Sequence, residues 1–527
     1  FGVSYNDDRK EKVAQIVKVF KYNAIVQNLA PIAADDYKQL RVADSVALQH
    51  MNRILELALS KEKTTEALTE LFDELGSEVR DADIIRWYGM DANYYYLSEA
   101  LCVPIIKTLL EEKIETEPAE VINRIEDLML NHSANSMMTA VMDYAVIVAR
   151  LYEKALTLGS LTLNTADEYV MRYESDYCFI DQYYRLANET YFGIDPTSEL
   201  FDTVQKVKRG LDQNYSKLCN RINLEWTRCL KETGGMDEVH LLRQYNFYDE
   251  KIKSIHKKVV VIVSDALRYE VAQELIGELA KTRHIASLKP AIAMLPSETK
   301  YSKPSLLPHR ELKLYGKGEE QGMAVDDHIL DTTQKRSEHL QVYRDGAVCV
   351  PFETVAEYNQ EKNHEIFKHP LVYIFHDVID KTGHDGNAKQ IVNSCRDAIT
   401  ELKRMIPTIH ASYSVTEVYV TSDHGFLFND IMFADKDKHK IEEDYLERST
   451  RYYLTKSKDE VSGVVKFPLS EVSGMVNVDD VMVAVPKGTN RFAAPSGGYM
   501  FTHGGAALQE LIIPVITSRL ERDDNKP

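Results

Sequence analysis

Cysteine is scarce in this 527-residue chain and forms no pattern. Cys102, Cys178, Cys219, Cys229, Cys349 and Cys395 are scattered, with no Cys-x-x-Cys pair. That argues against a disulfide framework or a thiolate zinc finger and points to a reduced, cytoplasmic setting. No apolar run approaches the roughly 20 residues needed to cross a bilayer. No Gly-x-x-x-x-Gly-Lys-Ser/Thr loop is present, which excludes a nucleoside-triphosphate motor of that type. The opening stretch, "FGVSYNDDRKEK", has neither an initiator Met nor a secretory pattern, as expected of a fragment or processed chain with a further N-terminal domain. Positive charge is in deficit: 63 Lys and Arg against 82 Asp and Glu leave a formal net charge of −19. Such a surface repels phosphate backbones and argues against unaided nucleic-acid binding. Bound cations can invert the field locally, so phosphate-ester chemistry stays open.

The composition, 44% hydrophobic and 28% charged, is that of a soluble globular protein, and the length implies two to four domains. From about residue 10 to 245 the apolar residues recur with helical period. "SVALQHMNRILELAL" puts Val46, Leu48, Met51, Ile54, Leu55 and Ala58 near one stripe. "EVINRIEDLML" does the same with Val121, Ile122, Ile125, Leu128 and Met129. Tyrosines, as in "NYYYLSEALC", are expected to pack helix faces. No fixed-period repeat stands out. Residues 1–250 therefore read as a helical support and partner-binding region without a catalytic signature.

The pattern changes near Ile255. "KKVVVIVSDALRYEVAQELIGELAKTR" is a β-branched run, then Asp265, then an amphipathic helix. "PLVYIFHDVIDKTGHDG" and "TEVYVTSDHGF" repeat the arrangement. Strands buried on both faces and alternating with helices predict an α/β sheet over 251–527, with its functional crevice beyond the carboxyl ends of the strands. "YGKGEEQGMAVDDHILDTTQKRSEH" reads as an irregular loop or surface insertion. Polar clusters close the strands: Asp265, Asp380 with His384, and Asp423 with His424. His503 adds a fourth, before two glycines and a helical stretch in "YMFTHGGAALQELIIPV". Aspartate and neutral histidine suit Zn²⁺, Mn²⁺ or a related ion. Taken singly, each cluster reads first as a helix cap or a hydrogen-bonded core histidine, and it is four of them at strand ends or glycine turns that shift the balance toward metal ligands. "AMLPSETKYSKPSLLPH" offers Ser297, Thr299 and Ser302 as hydroxyls, or reads as a plain polar loop.

In order and spacing, "VIVSDALRYE", "LPSETKYSKPSLLPH", "VIDKTGH", "VTSDHGF" and "THGGAALQELIIP" resemble the alkaline phosphatase superfamily. More narrowly they resemble the PglZ family of the bacterial BREX phage-defence system, over roughly residues 257–516. The resemblance implies an alkaline-phosphatase-like mixed sheet flanked by helices, preceded by a mostly helical domain. It implies two divalent cations, zinc foremost with Mn²⁺ or Mg²⁺ as alternatives. One is held by Asp265, Thr299, Asp423 and His424, the other by Asp380, His384 and His503. Asp380, Gly383 and His384 fit the superfamily's Asp-x-x-Gly-His pattern, with Asp385 the alternative to His384. His376 either orients a ligand, joins the second site or is structural. Thr299 is the implied nucleophile, at the second hydroxyl of a Pro-Thr-x-Thr-like segment whose first is Ser297.

The implied chemistry is phosphoryl transfer from a threonine alkoxide between two metals, with Lys300, Arg268 and Arg491 as candidate phosphate clamps. Phosphodiesterase or nuclease activity in BREX defence is the favoured expectation, and phosphomonoesterase activity the alternative. DNA is then a substrate reached with help from other BREX proteins, away from any membrane. No Cys-x-Pro-x-Arg stretch marks a sulfatase. A competing class is a metal-stabilised scaffold whose helical half docks defence proteins.

Overall fold

The computed structural model describes residues 9–26, 38–75, 102–131, 136–281, 284–357, 360–431, 438–493 and 500–520. Contacts divide the chain into two compact units, Phe1–Ala155 with Thr190–Gly210, and Leu156–Glu189 with Leu211–Pro527.

The first unit is helical where it is described. Its helices include Arg9–Val26, Ser45–Leu59, Glu62–Leu75 and Pro118–Asn131. Asp44 caps Ser45–Leu59 by accepting the Val46 N–H at 2.8 Å. Of the stripe expected there, Met51 and Leu55 are buried, while Val46 and Ile54 are exposed, so the inward face is narrower than the pattern suggests. Of the stripe expected in Pro118–Asn131, Val121, Ile125 and Leu128 are buried. Asn23 ties the amino-terminal helix to the following segment, donating to Leu40 O at 2.7 Å and accepting from Val42 N–H at 2.9 Å. The tyrosines of "NYYYLSEALC" lie outside the described residues.

The second unit is built on a seven-stranded mixed sheet. Its strands are β1 (Leu242–Arg243), β2 (Val259–Ser264), β3 (His284–Ile292), β4 (Val348–Pro351), β5 (Leu371–His376), β6 (Glu417–Thr421) and β7 (Ile512–Leu520), in the order β1-β3-β7-β6-β2-β5-β4. All pairings are parallel except those of β7 with β3 and β6. β2 and β5 are buried at every residue, which explains their unbroken apolar runs. Around the sheet lie α1 (Tyr269–Leu279), α2 (Thr299–Ser305), α3 (Thr333–Tyr343), α4 (Val378–Asp385) and α5 (Ala388–Tyr413). α1 and α5 pack on each other and on β7. A second, four-stranded antiparallel sheet contains Glu447–Arg448 and Tyr453–Thr455.

Two stretches differ from the sequence expectation. The supposed irregular insertion after Tyr315 contains a strand, Gly322–Val325, paired with Leu312–Tyr315, and then α3. Its short buried strand is hidden between polar turn and helix faces. After His503 the helix is brief, Leu508–Leu511, and gives way to the nine-residue β7. The six cysteines are buried free thiols. Among the described residues no helix is long and apolar enough to cross a membrane.

Candidate active site

β2 and β6 run side by side, Val263 opposite Thr421, so the residues that leave them meet at one edge. Asp265 donates its N–H to His376 O of β5 at 2.7 Å. The next residue, Ala266, sits in the left-handed region at φ 59°, a conformation that an alanine holds only when its surroundings fix it. Here the fixing groups come from β6: Ala266 N–H donates to Asp423 Oδ1 at 3.1 Å, and Leu267 N–H to Ser422 Oγ at 2.9 Å. β7 runs the opposite way, so its amino-terminal approach lies at this same edge. The two-residue pairing of Phe501–Thr502 with Leu427–Phe428 then sets His503 beside His424, their rings stacked 4.1 Å apart at 9°.

The expected histidines and aspartates converge in two groups. Asp265, Asp423 and His424 form one, Asp380, His384 and His503 the other. His424 Nε2 is 3.7 Å from Asp265 Oδ1 and from Asp423 Oδ2. Asp380 and His384, four apart on α4 and so on one face, lie 3.5 Å apart, and Asp380 Oδ1 is 3.7 Å from His503 Nε2. His384 and His503 bring their Nε2 atoms to 3.4 Å. Asp385 is exposed and belongs to neither group. His376 commits both ring nitrogens, Nδ1 to Ser264 Oγ and Nε2 to Glu401, each at 2.8 Å, which gives it a structural role.

The donor set fits divalent cations. Asp265 Oδ1, Asp380 Oδ1 and Asp423 Oδ2 are buried without a hydrogen-bond partner, an arrangement costly unless another group satisfies them. Burial pushes the Asp423 carboxyl well above the usual range, and the neighbouring Asp265 adds to it. Burial works against Asp265 too, but the Lys303 ammonium, ion-paired to it, holds that carboxyl low. Burial and the adjacent His503 push His424 down to about 4, so its imidazole is neutral. Crowded carboxylates beside a neutral imidazole are what a hard-to-borderline dication binds.

Thr299 opens α2 and places Oγ1 3.0 Å from His424 Nε2. His424 Nδ1 is 2.9 Å from Gly425 O. A carbonyl only accepts, so Nδ1 carries the proton and Nε2 presents its lone pair to Thr299. Ser297 is engaged elsewhere: its hydroxyl donates to Gly505 O at 3.0 Å and accepts from Gly504 N–H at 3.2 Å. Ser302 donates to Glu298 O at 2.7 Å. Of the three hydroxyls, only that of Thr299 faces the groups.

The expected phosphate clamps fare differently. Lys300 lines the cavity of about 370 Å³ that also contains Thr299, Asp380 and His384, with its ammonium paired to Glu447. Arg268 is buried, 3.1 Å from Asp181 and 3.7 Å from Glu270. Arg491 is also buried and donates to Thr489 O. Neither arginine lines that cavity. Lys303 was missed, although its spacing of four from Thr299 on a helix could have flagged it. Glu298, 3.4 Å from His503 Nδ1, was missed as well.

The turn after β6 is closed by backbone proximity. Gly425 N–H donates to Glu510 O at 3.0 Å, and a Cβ on Gly425 would fall 2.0 Å from Gln509 O. Gly425→Ala is therefore expected to destabilise the protein by about 1–3 kcal/mol, read by denaturant unfolding. An unchanged midpoint would refute the close approach.

Set against known proteins, residues 247–518 match the family model described as the BREX system PglZ alkaline phosphatase-like domain. The chain is 26% identical over 388 residues to the alkaline phosphatase-like protein PglZ of Bacillus cereus (strain H3081.97), covering 71% of this chain and 44% of that protein. It is 29% identical over 354 residues to the alkaline phosphatase-like protein BrxZ of Escherichia coli O9:H4 (strain HS), covering 64% and 40%. The chain thus spans less than half the length of the curated relatives it matches. Among solved structures it is similar to murine ectonucleotide pyrophosphatase / phosphodiesterase 5, with 14% identity and TM-score 0.36 over 50% of this chain and 88% of that one. It is also similar to phosphonoacetate hydrolase from Sinorhizobium meliloti 1021, with 10% identity and TM-score 0.33 over 52% and 92%. Because the family model takes in just over half of the residues, and the strand-end Asp and His groups lie within the match, the chain belongs to the PglZ family of BREX alkaline phosphatase-like proteins.

Proposed function

We propose that the chain is a metal-dependent phosphoesterase of BREX anti-phage defence, with Thr299 as its nucleophile and phosphodiesters, nucleic acid among them, as its favoured substrates. The observation that carries the reading is the Thr299 hydroxyl, 3.0 Å from His424 Nε2 and facing two groups of Asp and His donors. Divalent cations, zinc foremost, held by Asp265, Thr299, Asp423 and His424 and by Asp380, His384 and His503, would supply Lewis-acid polarisation of the phosphoryl oxygens.

The chain's own part is positioning. The Nδ1–H bond to Gly425 O fixes the His424 ring, and His424 fixes Thr299. In the reaction the Thr299 Oγ1–phosphorus bond forms as the hydroxyl gives up its proton, which the departing oxygen takes up by way of solvent to leave as the alcohol. The phosphorus–oxygen bond to the leaving alcohol breaks in line, and water then hydrolyses the phosphothreonine and restores Thr299. Residues 251–527 carry this chemistry, while the helical region 1–250 contacts other defence proteins. With a net charge of −19, a DNA substrate calls for basic surface from such a partner.

The test is hydrolysis of bis-p-nitrophenyl phosphate, p-nitrophenyl phosphate and plasmid DNA, with Zn²⁺ or Mn²⁺ and with chelator. Diester or DNA cleavage that chelation abolishes is the expected result. Equal background in both conditions would favour a scaffold instead.

Metal occupancy is tested separately by stability. Asp423→Asn keeps the acceptor for Ala266 and His424 N–H and removes a buried ionisable carboxyl crowded against Asp265. Without metal it is expected to melt no lower than the parent. With Zn²⁺ it loses the rise in melting temperature that ligation gives the parent, about 2.7 kcal/mol at a hundredfold excess over Kd. An equal rise in both proteins would place the ion elsewhere.

A further inference from the structure

We propose that Arg336 is the anion-binding residue of the Thr299 cavity and takes the non-bridging oxygens of the phosphoryl group. This rests on the reading of that cavity as a phosphoester site. Arg336 lies on α3, in a segment that the sequence pattern offered only as an insertion, and lines the same cavity as Thr299, Lys300, Asp380 and His384.

Its guanidinium is held but not neutralised. Nε donates to Leu330 O at 2.9 Å, and the group lies over the Phe375 ring, 4.7 Å from its centroid. Among the described residues it forms no ion pair, although it is half-buried. The adjacent acid, Asp331, is paired with Lys335 at 2.8 Å. Burial pulls the guanidinium below its ordinary value, outweighing the opposing pull of Cys349, Asp265, Asp423 and Asp331.

The other cations near Thr299 are already matched, Lys300 by Glu447 and Lys303 by Asp265. Among the described residues, Arg336 is the cation lining that cavity without a carboxylate partner. A half-buried, uncompensated guanidinium is unfavourable by itself. It becomes favourable when an anion enters the cavity, and its planar fork suits two oxygens of one phosphoryl group. The single bond to Leu330 O and the stack on Phe375 fix the fork while leaving both Nη groups for that anion.

Equilibrium binding of inorganic phosphate, measured by calorimetry with Mn²⁺ present, tests this. The Thr299→Ala protein is the background, so turnover cannot intervene. Adding Arg336→Gln is expected to raise the phosphate Kd about tenfold or more. Arg336→Lys should fall between, and Lys456→Gln, at an exposed ion pair with Asp480, should change nothing. Equal Kd values with and without Arg336, or no phosphate binding by the background protein, would overturn the assignment. If Arg336→Gln fails to fold, the Arg336→Lys measurement decides by the same criterion. Arg336-dependent phosphate binding in a protein whose Thr299 form hydrolyses nothing would sink the enzyme reading and leave this assignment standing. Hydrolysis indifferent to Arg336 would do the reverse.

Discussion

Thr299→Ala is expected to lower turnover of bis-p-nitrophenyl phosphate by roughly a thousandfold or more and to leave the melting temperature within about a degree. The hydroxyl is half-buried at the start of a short helix, and its bond is to His424 Nε2. Removing it takes away the attacking atom and leaves the buried His424 Nε2 facing the other donor groups. Thr299→Ser keeps the oxygen and should retain most activity. Ser297→Ala is the contrasting variant. Its hydroxyl links Gly504 and Gly505 to the loop before α2, so about 1–3 kcal/mol of stability goes with it while the nucleophile stays. A steady-state comparison of the three, paired with thermal melts, reads the difference. Full activity in Thr299→Ala would end the nucleophile assignment.

The second large effect concerns the turn that carries His503. Glu510 is fully buried and takes Arg451 in a bidentate pair, at 2.9 and 2.7 Å. The same carboxylate accepts Gly505 N–H at 3.0 Å and Ala507 N–H at 2.9 Å. Glu510→Ala would leave the Arg451 and Arg491 guanidiniums buried without that acid, a change expected to cost about 3–5 kcal/mol. The Zn²⁺-dependent rise in melting temperature should shrink with it, since His503 precedes the loosened turn. Replacing both partners, Arg451→Met with Glu510→Leu, should recover much of the loss. A single-variant cost below about 1 kcal/mol would show that the pair does not hold the turn.

The pair also sets an acid limit. Burial opposes the Glu510 carboxylate, but Arg451 outweighs it and holds the group below its ordinary value of 4.5. A lowered folded value means that the stabilisation is complete above that ordinary value. It is then lost as pH falls through the lower folded one. Acid unfolding of the parent should therefore begin below pH 4.5, and the double variant should lack that component.

The sheet and its strand ends were legible because burial on both faces writes itself as runs such as Val259–Val263, with the polar residue placed where the strand stops. The convergence of the two donor groups was legible through motif order. Arg268 and Arg491 are buried away from the Thr299 cavity, which the sequence did not signal for a physical reason. A charged residue next to a motif looks like a surface clamp unless its buried partner is visible, and Asp181, the partner of Arg268, stands 87 residues before it. Lys303 and Arg336 were passed over for the converse reason. Their value comes from the helices α2 and α3, which form in stretches rich in proline, glycine and polar residues. The helix in the first of these even includes Pro304.

β7 has a consequence for the timing of assembly during synthesis. It lies between β3 and β6, in the interior of the sheet, yet it is the most C-terminal of the seven strands. Until it is made, the β2–β6 half of the sheet and the β1–β3 half have no shared partner, and His503 has not yet been brought to the other donors. A nascent or prematurely terminated chain therefore holds Asp265, Thr299 and even Asp423 without the second group complete. The two donor groups are therefore complete only once β7 has joined the sheet.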